Sequence, residues 1–296
     1  MSSKTAALFP GQGSQKQNMA DSLVKNHKIA MDVFCECSDI LGTDVLALTR
    51  LSEKEIAQPA VTHKIIPVSS LAAWAVFKET SKADFAAGHS LGELTALAAA
   101  GACSVKDMLS LCSVRGELMQ NTTSTVSGGM TAVLNSSLSD ISEVCEATNG
   151  ADNDKTWIAN INSYNQIVIA GAKDKLDEAE KLLTEKGASC IRLKTACAFH
   201  TPHMGTAVKK LMEKAAKIKW QQPEITIVSA RTGKPYENHS TIPYELSLQL
   251  VQPVLWLNTV QFLRNAHVKT VYEMTPAGTL TGLIKSIEKN ISCHNI

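Results

Sequence analysis

Along this chain, short unbroken apolar runs alternate with longer stretches in which apolar residues recur at helical spacing. Thr5 to Pro10 is a mostly apolar run that stops at Gly11-Gln12-Gly13, and it predicts a buried strand ending in a turn. Residues 18–41 place Met19, Leu23, Ile29, Val33 and Ile40 at helical intervals, and residues 63–79 predict a second helix. Asp84 to Gly88 predicts a short strand. Leu91 to Ala100 is nearly all small or helix-forming, as suits a helix packed closely behind a strand. Ser104-Val-Lys-Asp107 matches a capping box and opens a helix to about Gln120. Residues 121–129, NTTSTVSGG, predict a polar linker, and after it the pattern changes. Strands are expected at Met130–Leu134, 156–160, Gln166–Ala170 and 189–193, with helices at 138–148 and 173–186. That order, βαββαβ, is the split ferredoxin-like unit. A helix at 205–219, a strand at Ile225–Ser229, helices at 243–250 and 258–267, a strand at Thr270–Met274 and a closing helix from 279 follow. The expectation is an α/β protein in three stretches. A large subdomain covers 1–126 and 196–296, and a small ferredoxin-like α+β subdomain is inserted at 127–195.

Composition narrows the class. The 296 residues are 44% hydrophobic and 19% charged with a net charge of +1, which fits a folded globular protein and gives no basic excess for nucleic acid. The opening apolar run is too short for a signal-peptide core, and no uninterrupted apolar stretch approaches the ~18 residues of a membrane span. The eight cysteines, at 35, 37, 103, 112, 145, 190, 197 and 293, are scattered and lack CxxC pairs. They read as reduced core thiols in a cytoplasmic protein, with no metal site.

The stretch GHSLG at 88–92 carries the first chemical signal. Glycines two positions either side of Ser90 permit a sharp strand-to-helix turn that lifts the hydroxyl out of the fold. The plain alternative is a loop serine. With the elbow, the large subdomain is expected to be α/β-hydrolase-like, built on a parallel sheet. A nucleophilic serine needs a base. His200, in CAFHTPHM, is the best placed of eight histidines, with His203 a nearby competitor. His89 reads as structural or substrate-facing, and His27, His63, His239 and His267 as ordinary core or surface residues. The backbone N–H of Leu91, at a helix start, is a natural oxyanion donor, and the Gln12 turn offers a second. Arg115 falls on the apolar stripe of Met108, Cys112 and Met119. Either its stem packs while its head reaches water, or it is a fixed cation in a cleft.

FPGQGSQ (9–15), GHSLGE (88–93), RGELMQ (115–120), ANINSYNQIVIAG (159–171), AFHTPHM (198–204) and QLVQPVLW (249–256) occur in this order. Together they resemble the malonyl-CoA:acyl-carrier-protein transacylases, including the free-standing acyltransferases of polyketide synthases, over nearly the whole chain. The resemblance implies Ser90 as nucleophile, His200 as base, and the Gln249 backbone carbonyl as the group that orients His200. It implies Gln12 and Leu91 as backbone oxyanion donors, and Arg115 as a bidentate partner for the malonyl carboxylate. Phe199 matches the AFH form of malonyl-selective members, and Asn160 and Asn162 would line the cleft. Leu94, where an aromatic is common, and His203, where a small or apolar residue is usual, depart from the pattern without removing a reacting group.

The implied activity is ping-pong transfer of a malonyl group from malonyl-CoA to the phosphopantetheine thiol of an acyl carrier protein, in fatty-acid or polyketide synthesis. The alternative is an acyl hydrolase of the same fold. Expected alongside are no bound cofactor, malonyl-CoA and the carrier protein as partners, no nucleic acid or membrane, and a monomer. Lys209, Lys210, Lys214, Lys217 and Lys219 are either a docking patch for an acidic carrier or a solvated helix face.

Overall fold

The apolar run near the N-terminus becomes β1 (Lys4–Phe9), and Ala6 to Phe9 are wholly buried, as a central parallel strand requires. The computed structural model describes residues 3–125, 128–148, 150, 155–195 and 197–296. Helices α1 (Asp21–Asn26), α2 (Lys28–Leu41), α3 (Val45–Leu48), α4 (Glu53–Ile56) and α5 (Pro59–Thr80) follow. Next come β2 (Phe85–Gly88), α6 (Leu91–Ala99) and α7 (Val105–Thr125). The small unit comprises β3 (Gly128–Leu134), α8 (Leu138–Ala147), β4 (Thr156–Ser163), β5 (Gln166–Ala172), α9 (Lys173–Glu185) and β6 (Ser189–Arg192). The chain finishes with α10 (Gly205–Ala215), β7 (Thr226–Val228), α11 (Ile242–Leu248), α12 (Trp256–Asn265), β8 (Val268–Glu273), α13 (Thr279–Ile287) and β9 (Ser292–Asn295).

Among the described residues the large sheet has the order β7-β2-β1-β8-β9 and is parallel throughout. Alternation along β1 serves both faces. Ala7 and Phe9 join the core under α2, α5, α6 and α7, while Ala6 and Leu8 join the one under α12 and α13. The register pairs Phe9 with Gly88, so the loops after β1 and β2 emerge side by side. Strand order reverses at β1, and the crevice at the carboxyl ends of such strands is where α/β sheets place ligands.

The small sheet is antiparallel in the order β4-β5-β3-β6, the ferredoxin-like arrangement. Val133, Ile167 and Ile169 pack under α8 and α9, while Met130, Ala132, Val168 and Ala170 turn to the main core. Two backbone hydrogen bonds tie it to the loop after α11: Ile161 donates to Val254 (2.8 Å), and Val254 donates to Ala159 (2.9 Å).

Several boundaries differ from the sequence reading. The helix expected over 18–41 is two helices, because His27 is extended (φ −132°, ψ 111°). Ser104 accepts the Asp107 amide at 3.0 Å as expected, but α7 continues to Thr125, so much of the expected linker is helix. Its residues 126–127, and with them the junction between subdomains, lie outside the described residues. α3, α4 and β9 were not expected. α5 is long and apolar enough to cross a membrane by length and composition, but it packs inside as a core helix.

Candidate active site

Ser90 sits between β2 and α6 at φ 52°, ψ −105°, a left-handed conformation that costs a serine about 1–3 kcal/mol. Three glycines allow it. A Cβ on Gly88 would lie 2.0 Å from the Gly92 carbonyl carbon, one on Gly92 1.9 Å from the Phe9 oxygen, and one on Gly11 2.2 Å from the His89 oxygen. The elbow is thus pressed against the turn that follows β1. Ser14 pins that turn by donating to the Gly11 carbonyl at 2.6 Å, and Gln12 is its tip. Leu91 N–H opens α6 and has no carbonyl a turn back to bond, so it is a free-standing donor beside the serine.

His200 also has a left-handed backbone, φ 61°, in the turn before Pro202. Its Nδ1 lies 2.7 Å from the Gln249 backbone carbonyl and its Nε2 lies 2.8 Å from Ser90 Oγ. A carbonyl only accepts, so Nδ1 carries the hydrogen and Nε2 offers a lone pair to the serine hydroxyl. Burial, with the Arg115 charge adding, lowers the His200 pKa to about 3, so the ring is neutral. His203 goes elsewhere: it packs edge-on against Trp157 at 5.0 Å.

Arg115 is 1% exposed, and its head does not reach water. Nη2 donates to Ser90 Oγ (2.9 Å) and to Gln249 Oε1 (3.1 Å), and Nη1 lies 2.7 Å from His63 Nε2. Burial lowers its pKa to about 10, which leaves it charged at neutral pH. Every one of these acceptors is neutral, and among the described residues no carboxylate forms an ion pair with it. The buried Glu93 acts on it only at a distance, with Gln249 between them, and a buried cation with no directly bonded anion is costly, which makes this a candidate anion site.

A cleft of about 550 Å³ opens between the sheets, lined in part by Gln12, His89, Asn160, Asn162, Gln166 and Leu283. His89 Nε2 lies 2.9 Å from Asn162 Oδ1, joining the elbow to β4, and Asn162 Nδ2 donates to Gln166. The side-chain oxygens of Gln12 and Asn160 are buried without a partner. Phe199 is buried in the large core beside His200.

Two residues given no role from sequence belong to this site. Glu93, wholly buried on α6, accepts from Tyr236 Oη (2.5 Å), Gln249 Nε2 (2.5 Å) and Ala230 N–H (3.2 Å). It therefore fixes the Gln249 side chain, whose oxygen touches Arg115. Burial raises its pKa. An acidic residue in the otherwise small-residue run LGELTALAA was the available signal. His63, read as an ordinary histidine, is the partner of Arg115.

The family model described as acyl transferase domain matches residues 7–292. The chain is 33% identical over 286 residues to the malonyl CoA-acyl carrier protein transacylase of Salmonella typhimurium, covering 95% of this chain and 92% of that one. The structure of an acyl carrier protein S-malonyltransferase from Vibrio cholerae superposes with a TM-score of 0.94 at 31% identity, covering 99% of this chain and 97% of that one. A malonyl-transacylase in complex with its type II PKS acyl-carrier protein matches with a TM-score of 0.94 at 31% identity, covering 99% and 96%.

Proposed function

The chain belongs to the acyl transferase domain family, and from that premise we propose that it carries a malonyl group from malonyl-CoA to the phosphopantetheine thiol of an acyl carrier protein. The observation that carries this reading is the buried guanidinium of Arg115, which has no directly paired carboxylate among the described residues and lies 2.9 Å from Ser90 Oγ. An acyl group with its own carboxylate supplies the missing anion in a planar fork.

The steps follow from the hydrogen bonds. His200 Nε2 takes the Ser90 proton as Oγ attacks the thioester carbonyl. The backbone N–H groups of Leu91 and Gln12 hold the developing oxyanion. The C–S bond breaks, the coenzyme A sulfur leaves with the proton from His200, and a malonyl ester remains on Ser90. The carrier's thiol then gives its proton to His200 and attacks the ester, and Ser90 recovers its hydrogen as the new thioester departs. Arg115 exchanges its bond to Ser90 for the malonyl carboxylate and so fixes the carbonyl's orientation. The unpartnered oxygens of Gln12 and Asn160 suit the amide N–H groups of the pantetheine arm. Acyl transfer between thioester and ester calls for no metal or redox cofactor.

The hydrolase alternative is not favoured, since the relatives bear the transacylase name and a cation placed for a carboxylate serves acyl retention. The eight cysteines form no disulfide among the described residues, which fits a cytoplasmic setting, and a monomer is proposed. The test is incubation with malonyl-CoA followed by intact-protein mass spectrometry. Wild type is expected to gain one long-lived malonyl group that moves to added carrier protein, and Ser90→Ala none. Labelling retained in Ser90→Ala, or rapid loss to water without transfer, refutes the assignment.

A further inference from the structure

Arg115 has a long side chain with several rotatable bonds, and its fork is useful only if its direction is fixed. The Nη1 atom is fixed by His63, at 2.7 Å. His63 is wholly buried on α5, and its Nδ1 lies 2.9 Å from the Pro59 carbonyl one turn back. That carbonyl accepts only, so Nδ1 carries the hydrogen and Nε2 presents a lone pair to the guanidinium. Burial first, then the adjacent Arg115 charge, holds the imidazole well below its ordinary pKa, and the lone pair stays available.

The backbones are built for this contact. Gly116, next to Arg115 on α7, faces α5 so closely that a Cβ there would lie 2.7 Å from the Pro59 oxygen and 2.8 Å from His63 Cβ. Pro59, His63, Arg115 and Gly116 thus form one crossing between two long helices. With Nη1 engaged, the edge a ligand can take is Nε, a buried donor without a partner, together with Nη2 once Nη2 releases Ser90 Oγ (2.9 Å) while its bond to Gln249 Oε1 (3.1 Å) remains. A carboxylate accepts bidentately from such an edge.

We propose that His63 is a positioning residue that sets acyl selectivity: it clamps Nη1 so that the Nε–Nη2 edge of Arg115 is offered to the carboxylate of a dicarboxylic acyl thioester at a set distance from Ser90. The proposal rests on the malonyl-transfer reading and adds to it the group that aims the selector. His63 bonds the guanidinium and its own helix, so it acts through Arg115 and takes no part in proton transfer.

The test compares wild type, His63→Leu and His63→Gln, each given an equimolar mixture of malonyl-CoA and acetyl-CoA. Mass spectrometry reads the ratio of malonyl-serine to acetyl-serine. Leucine fills the space without an acceptor, and glutamine returns an oxygen near the Nε2 position. The ratio is expected to fall about tenfold or more in His63→Leu and to return to within about threefold of wild type in His63→Gln, as loss and restoration of a hydrogen bond to a charged group predict. An unchanged ratio in His63→Leu overturns the proposal, as does an equal fall in His63→Gln. If His63→Leu does not fold, His63→Asn replaces it: asparagine is one carbon too short to reach Nη1 and must show the fall that glutamine avoids. A wild type that forms no malonyl-serine refutes the transfer reading instead, so the two failures are distinct.

Discussion

Ser90 holds a hydroxyl between a donor and an acceptor: Arg115 Nη2 gives to Oγ, and Oγ gives to His200 Nε2. A carboxylate that draws Arg115 away removes a donor that competes for the nucleophile's lone pair, and neutralises the charge that, after burial, depresses the base. Arg115→Ala is therefore expected to cut malonylation of Ser90 by about a hundredfold or more, the scale of losing one partner of a buried charge pair, and to affect acetylation far less. Single-turnover acylation rates with the two coenzyme A esters measure this, and equal losses would make Arg115 structural. Ser90 and Arg115 were legible because each breaks a local rule, a serine between elbow glycines and an arginine on an apolar stripe. Arg115 is fully buried there, so the reading that its head reaches water fails. His63 and Glu93 break no such rule strongly, and their partners lie 52 and 156 residues away. No periodicity within a helix encodes such distant pairs.

At the level of elements, the elbow is a three-way contact of β1's turn, β2 and α6 that tolerates no side chain. Gly92→Ala would set a methyl 1.9 Å from the Phe9 oxygen, backbone that cannot yield cheaply. The variant is expected to lose about 3 kcal/mol or more of stability and with it the serine's geometry, seen as a lower urea midpoint together with lost acylation. A variant of wild-type stability would mean that the elbow relaxes freely. The helices and strands of the core were readable from their apolar spacing. The ends were not: His27 breaks a stripe that runs on through it, and α7 carries a helix into residues whose composition suggests a linker. β9 is polar (Ser-Cys-His-Asn) and exists because β8 has an edge to pair, which no local pattern announces. Glu273 is similar: its buried carboxylate accepts from the Gly278, Leu280 and Thr281 amides at 2.9, 2.8 and 2.8 Å, capping α13 from the end of β8.

For the whole molecule, the buried His63 and His200 and the half-buried His89 link stability to pH. His63, His89 and His200 all have pKa values lowered chiefly by burial, His200 to about 3. Once unfolded they titrate near 6.5, so below that pH the unfolded chain binds protons that the folded chain refuses. Stability is therefore full above pH 6.5 and falls as pH drops, by roughly 2 kcal/mol at pH 5 from His200 alone, with His63 and His89 adding in the same direction. Glu93, with its pKa raised, works in the opposite sense and offsets part of the loss. Urea midpoints at about pH 7.5 and pH 5 should show the decline, smaller in His63→Gln; a flat response would mean the histidines are hydrated when folded. The two-sheet architecture was legible because each half has its own strand and helix order, while the ties between the halves were not. One of those ties has a mechanical consequence. The stretch from Gln249 to Val254 grips the imidazole of His200 at one end and the edge of β4 at the other. One short segment thus carries both the seam between the subdomains and the orientation of the base, so a substitution that shifts Val254 at that seam would also shift the carbonyl that holds His200 Nδ1.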